Sequence, residues 1–193
     1  MRLDTGGFML RTLAAVLLVF FTLQAAPVHA DGSVGDYRRA NRLFAAGKYR
    51  DALSLYERLA TSPPADASLG YIYSRIGDGY FQLGDFGRAL SAYRRALRSL
   101  KRSERVEIQY WIGFCCFLLG RDQEAVAELL KIPDLYPDSG MWTSTAYYWA
   151  GRASERMGRK DKAVEYYKKA GAGGKGSQAG FALKRAAGVK KQM

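Results

Sequence analysis

The side chains able to do chemistry are few in this 193-residue chain. The single histidine, His29, is the only imidazole available to activate a serine or cysteine nucleophile. Both cysteines are adjacent, Cys115 and Cys116, within an apolar stretch. Neighbours on one helix point about 100° apart, a poor geometry for a disulfide. There is no C-x-x-C spacing for zinc, haem attachment or thiol redox work. The Gly-rich run 171–176 lacks the Lys-Ser/Thr ending and the preceding strand of a phosphate loop, so it reads as a linker. Carboxylates such as Glu124 and Glu128, with Lys131 nearby, stand at spacings suited to helix-surface pairing rather than to paired acid–base work. No catalytic set, no metal site and no cofactor is expected.

What must position these groups begins with an N-terminal targeting segment. Arg2 and Arg11 precede and flank an apolar run over 13–23 (LAAVLLVFFTL), and Val28-His29-Ala30 follows with small or tolerated residues at a signal-peptidase site. Cleavage after Ala30 is expected, making 1–30 a signal peptide and the mature protein periplasmic or secreted. The run is short for a membrane span of about 20 residues, so no transmembrane segment is expected after cleavage. Loss of Arg2, Arg11 and Asp4 lowers the net charge of +12 by one, and His29 leaves with them. The basic balance would suit nucleic acid, but export argues against it and toward acidic proteins, anionic membrane surface or peptidoglycan.

Beyond residue 30 the chain repeats. Gly47, Gly84, Gly120 and Gly158 recur at spacings of 37, 36 and 38. Five residues after each stands Ala52, Ala89, Ala125 or Ala163. Nine after stands Tyr56, Tyr93, Leu129 or Tyr167, and seven before stands Ala40, Gly77, Gly113 or Gly151. Apolar residues run at i, i+3, i+4 and i+7 on both sides of each glycine, so each unit is a helix pair with a glycine C-cap at the bend. Small residues let the two helices approach closely, with the tyrosines beside them.

This pattern resembles the tetratricopeptide repeat. The second unit matches best, with Tyr73, Ile76, Gly77, Tyr80, Gly84, Phe86, Ala89, Tyr93 and Ala96 in consensus positions. The resemblance implies an all-α, right-handed superhelical solenoid of about four helix pairs plus a C-terminal capping helix. The repeat domain spans 31–170, with units at about 34–65, 71–102, 107–138 and 145–171; a Gly-rich linker, capping helix and basic tail fill 171–193. Helices are expected over 34–46, 50–60, 67–83, 86–99, 104–119, 122–131, 140–157, 160–170 and 177–187. Ser103 and Asp122 are candidate N-caps, and Phe181 and Leu183 are expected to pack the capping helix back. Cys116 and Ser154 stand where the repeat usually has an aromatic residue.

In such proteins the first helix of each pair lines a concave groove. Carried over by register at ten, six and three residues before each glycine, the partner-binding positions are Tyr37, Asn41 and Phe44; Ser74, Asp78 and Phe81; Tyr110, Phe114 and Phe117; Tyr148, Arg152 and Glu155. Aromatic side chains dominate, a composition suited to anchoring a peptide. The lysines of a carboxylate clamp are missing from the matching positions, although Asn41 matches one and Arg75 and Arg152 add charge. The stretch 147–170 is also similar to helical-repeat regions of periplasmic envelope proteins, such as soluble lytic transglycosylases and the Tol–Pal coordinator, which implies an envelope setting. The expected function is a non-catalytic, exported adaptor holding a partner protein or peptide in an aromatic groove. The alternative is a charge-driven binder of cell wall or anionic membrane surface.

Overall fold

The computed structural model describes residues 30–64, 67–173 and 177–192. Residues 1–29 of the expected signal peptide lie outside this range. Among the described residues there are nine α-helices and no strand. They are α1 (Ala30–Ala45), α2 (Tyr49–Thr61), α3 (Leu69–Gln82), α4 (Phe86–Ser99), α5 (Arg105–Leu118), α6 (Asp122–Leu135), α7 (Gly140–Arg156), α8 (Lys160–Gly173) and α9 (Ser177–Lys191). A short 3-10 turn at Arg102–Glu104 leads into α5. The chain is an all-α solenoid of helix pairs α1/α2, α3/α4, α5/α6 and α7/α8, with α9 laid on α8. Each helix packs on its chain neighbours, and α5 also touches α7. Stability is therefore built from neighbour interfaces rather than from one central core.

The four glycines make the bends. Gly47, Gly84, Gly120 and Gly158 have φ of 72°, 76°, 75° and 73°, the left-handed region that a Cβ makes costly. Each closes the first helix with the same pair of hydrogen bonds. In the second unit the Gly84 amide donates to the Phe81 carbonyl at 3.0 Å, and the Asp85 amide donates to the Tyr80 carbonyl at 2.9 Å. The Asp85 side chain then caps α4 by accepting from the Arg88 amide at 3.0 Å.

The small-residue slots are filled as the spacing requires. A Cβ on Gly77 would lie 2.5 Å from the Tyr93 ring, on Gly113 2.6 Å from Leu129, and on Gly151 2.8 Å from the Tyr167 ring. Ala40, Ala52, Ala89, Ala125 and Ala163 are wholly buried. Overlapping apolar clusters run from Ala40 and Tyr56 in the first pair to Ala163, Tyr167 and Val189 at the end. Cys115 and Cys116 are unbridged and buried within this series, and Ser154 is buried too.

Several local expectations differ. Helix α6 runs on to Leu135 through Pro133, because Ile132 is fully buried and its carbonyl accepts from the Tyr136 amide at 2.9 Å. Asp122 is the first residue of α6 rather than its cap, and its carboxylate is taken by Arg156. Ser103 lies in the 3-10 turn and caps nothing. Helix α8 extends to Gly173, and α9 to Lys191. The buried stripe of α9 is Ala182, Ala186 and Val189, while Phe181 is 66% and Leu183 49% exposed. Residues 181 and 183 each sit about 100° from that stripe. Small residues on the stripe bring α9 close to α8, with Leu183 lying over Gly171.

Candidate functional site: the face of the first helices

The first helices α1, α3, α5 and α7 place the residues ten, six and three before each glycine on one side of the stack. The structure divides them into two groups. Tyr37, Asn41, Phe44, Ser74 and Asp78 lie in a polar N-terminal portion. Asn41 accepts from the Tyr56 hydroxyl at 2.6 Å, and Asp78 accepts from the Tyr93 hydroxyl at 2.8 Å. Arg75 pairs with Asp78 at 3.4 Å while its guanidinium lies 5.5 Å from the centre of the Phe44 ring. Phe44 meets Tyr49 edge-on at 5.1 Å, Tyr37 meets Tyr56 at 6.3 Å, and Ser74 is half-buried. Polar side chains in this portion thus largely hold second-helix tyrosines in place.

Phe81, Tyr110, Phe114, Phe117, Tyr148 and Arg152 come together in the other group. Phe114 is its centre. It stacks on Tyr110 at 5.8 Å and Phe117 at 6.3 Å, meets Phe81 at 6.0 Å, and meets Trp149 of the next pair at 4.6 Å. Trp111 joins Phe81 at 5.1 Å and stacks on Tyr93 at 6.4 Å. Trp142 closes on Tyr110 at 5.2 Å, and Tyr148 meets Trp149 at 5.5 Å. Arg152 lies 5.8 Å from the Trp149 ring centre. Tilted and offset pairs of this kind suit the ring quadrupoles.

Burial sorts the members of this group. Tyr110 and Phe117 are each only 8% exposed, so their rings back the surface instead of forming it. Phe81, Trp111, Phe114, Trp142 and Trp149 are half-buried and carry the open ring area. All three tryptophans lie outside the ten-six-three register. Trp111 and Trp149 both stand nine residues before their glycines, where the first two units have Arg38 and Arg75. That shared offset was the available signal.

The far end is closed by charge. Glu155 accepts from the Tyr167 hydroxyl at 2.7 Å and from Arg185 of α9 at 2.8 and 3.0 Å. Burial pushes its pKa up, but the bonds from Arg185 and Tyr167 outweigh this and hold it below the usual range. Asp78 goes the other way: burial raises its pKa more than Tyr93 and Arg75 lower it. Burial raises Tyr56 and Tyr110 to about 12. It raises Cys115 to about 12 and Cys116 to about 11, so neither is a reactive thiolate at neutral pH. Arg156 braces the site from behind. It forks onto Asp122 at 2.7 and 2.8 Å, donates to the Phe117 carbonyl at the C-terminus of α5, and lies 4.1 Å from the Phe117 ring centre. Among the described residues no three His, Cys, Asp or Glu converge as metal ligands, and no helix is long and apolar enough to cross a membrane.

One tetratricopeptide repeat profile matches residues 37–76 and 74–140, and a second matches 144–170. These matches take in more than half of the sequence, and the chain belongs to the tetratricopeptide repeat family. Proteins of this family are typically non-catalytic scaffolds for protein–protein interaction. Among curated proteins, the human protein O-mannosyl-transferase TMTC2 is similar, 29% identical over 94 residues. That alignment covers 49% of this chain and 11% of the human protein, so the chain spans only a small part of that relative's length. Among solved structures, residues 41 to the end of MamA from Desulfovibrio magneticus RS-1 superpose with a TM-score of 0.64 at 20% identity, covering 83% of this chain and 92% of that one. The apo form of RapI gives a TM-score of 0.72 at 13% identity, covering 83% and 65%. At such identities these likenesses establish the fold.

Proposed function

We propose that this protein is a non-catalytic, exported adaptor that holds a segment of a partner protein on the face of its first helices. The binding surface is the cluster of Phe81, Trp111, Phe114, Trp142 and Trp149, lying in the concave groove of the solenoid. The observation that carries this reading is the continuity of that cluster across three helix pairs, with five large aromatic residues partly open to solvent. Rigid aromatic side chains offer large contact area at small entropic cost. The partner segment is apolar, either extended or helical. Export rests on the apolar run 13–23 and the Val28-His29-Ala30 site.

A photo-crosslinking residue at position 114 in the full chain, expressed in cells, tests the groove. A discrete protein adduct that disappears in a Trp149→Ala background supports it; an adduct spectrum matching that from exposed Lys168 on α8 overturns it. Amino-terminal sequencing of the protein recovered from the envelope fraction tests export, with Asp31 expected as the first residue.

A further inference from the structure

A second recess lies away from the aromatic face, between second helices α2 and α4. Its volume is about 700 Å³. Helix α4 supplies one wall with Arg88, Arg95 and Arg98, which share a helix face at i, i+7 and i+10. They span about 15 Å along the axis. The floor is apolar: Ala60, Ile76 and Ala92, with the rings of Tyr73 and Tyr80. Two guanidiniums lie over those rings, Arg95 at 5.0 Å from the Tyr73 centre and Arg88 at 4.6 Å from the Tyr80 centre.

The local acids only partly answer this charge. Asp85 pairs with Arg88, and Glu57 on α2 accepts from the Tyr80 hydroxyl. Arg94 also lines the recess but is paired with Glu124 of the following pair. Arg95 and Arg98 are exposed, and neither has a carboxylate partner among the described residues.

We infer that this cleft binds an acidic peptide segment with apolar residues between its carboxylates. A guanidinium without a carboxylate partner can take one in two parallel bonds, and among the described residues Arg95 and Arg98 are the two on this wall free to do so. A length of about 15 Å holds roughly five extended residues. Side chains alternate across such a strand, so carboxylates meet the arginine wall while apolar residues meet Ile76 and Ala92. The recess favours a peptide over a membrane, because a bilayer surface cannot enter a cleft walled by two helices. The site is separate from the aromatic face, and either can fail alone.

The test is fluorescence anisotropy with a labelled seven-residue peptide alternating glutamate and leucine, glutamate at both ends. The expected result is saturable binding that falls at least tenfold with the Arg95→Gln, Arg98→Gln double variant. It falls less than twofold with the charge-matched Lys168→Gln, Lys190→Gln control. Replacing glutamate by glutamine in the peptide abolishes binding. Charge reversal, Arg95→Glu with Arg98→Glu, restores binding to a peptide alternating lysine and leucine. Thermal unfolding of each variant confirms that the fold persists. Equal losses in the two glutamine variants, undiminished binding of the glutamine peptide, or sedimentation with anionic vesicles that tracks Arg95 and Arg98 while the peptide does not bind would each overturn the inference.

Discussion

The two ends of the first-helix face share one scaffold and differ in almost everything presented on it. In the first two pairs, the face carries Asn41 and Asp78 at register positions with Arg75 beside them, and these are occupied by tyrosine hydroxyls and by each other. In the last two, the same helix face carries Trp111, Phe114 and Trp149, which meet one another and neighbouring rings, with Arg152 beside Trp149 and the Trp111 indole N–H donating to Glu107 at 3.3 Å. The slots beneath are the same in both halves: glycine or alanine facing tyrosine or leucine, with a left-handed glycine at each bend. A repeat can therefore hold its packing constant and vary its surface freely. Polar positions on this face spend their hydrogen bonds internally, while several aromatic ones retain open ring area.

The largest effect tests whether the scaffold is indeed shared. Gly77→Val and Gly113→Val push a branched side chain into Tyr93 and Leu129 respectively. Each is expected to cost about 3 kcal/mol and to lower the melting temperature by about 10 °C, measured by thermal circular dichroism. A loss confined to one of them would mean the halves are packed differently. Next is the surface itself. The double change Phe114→Ala, Trp149→Ala is expected to weaken partner capture at least tenfold, a cost of about 1.4 kcal/mol or more. Asn41→Ala with Arg75→Ala should change it by less than threefold. Calibrated pull-down from envelope extract reads both; the reverse order would move the binding surface to the polar half.

Titration separates the halves more finely. Asp78 has its pKa raised on folding, so its contribution to stability is present at low pH and is lost as pH rises through the folded value. Glu155 has its pKa lowered, so its contribution is present above the unfolded value and is lost as pH falls through the folded one. Asp78→Asn keeps an acceptor for Tyr93, the arrangement that Asn41 already makes with Tyr56. It is expected to raise stability at pH 7 by about 0.5 kcal/mol, with the gain disappearing at acid pH. Glu155→Gln should lower stability at pH 7, with the loss shrinking as the pH falls. Urea titrations at pH 7 and pH 3.5 check both signs. A change of similar size is Arg185→Ala, which removes the α9 partner of Glu155. A loss of about 0.5 kcal/mol is expected, shrinking in high salt.

Much of this architecture was readable along the chain, and the exceptions have physical causes. The bends were legible because a positive φ nearly demands glycine, and Gly47, Gly84, Gly120 and Gly158 stand alone at that spacing. The slots were legible because Gly77 and Tyr93 sit at fixed offsets from one bend. The caps were less so: Asp122 looks like an N-cap locally, yet Arg156, 34 residues on, takes its carboxylate. On α9 the larger residues suggest an inward face at Phe181 and Leu183, but only Leu183 reaches α8, over Gly171, and Phe181 stays exposed. Close approach to α8 selects Ala182 and Ala186 instead. At the candidate site, register placed Phe81 and Phe114 in the half-open aromatic cluster. It could not tell that Tyr110 and Phe117 are covered, and it passed over all three tryptophans.

By itself, then, the sequence determined what is local to one hairpin: where the first helix of each pair ends, which small residue faces which large one, and how many pairs there are. Those depend on backbone dihedrals and on offsets of a few residues. Tertiary structure decided which rings touch across pairs. Phe114 and Trp149 lie 35 positions apart and meet at 4.6 Å only because of the displacement and rotation between successive hairpins. That relation is set by the summed packing of every interface in the stack. It turned a scatter of aromatic residues into one continuous surface.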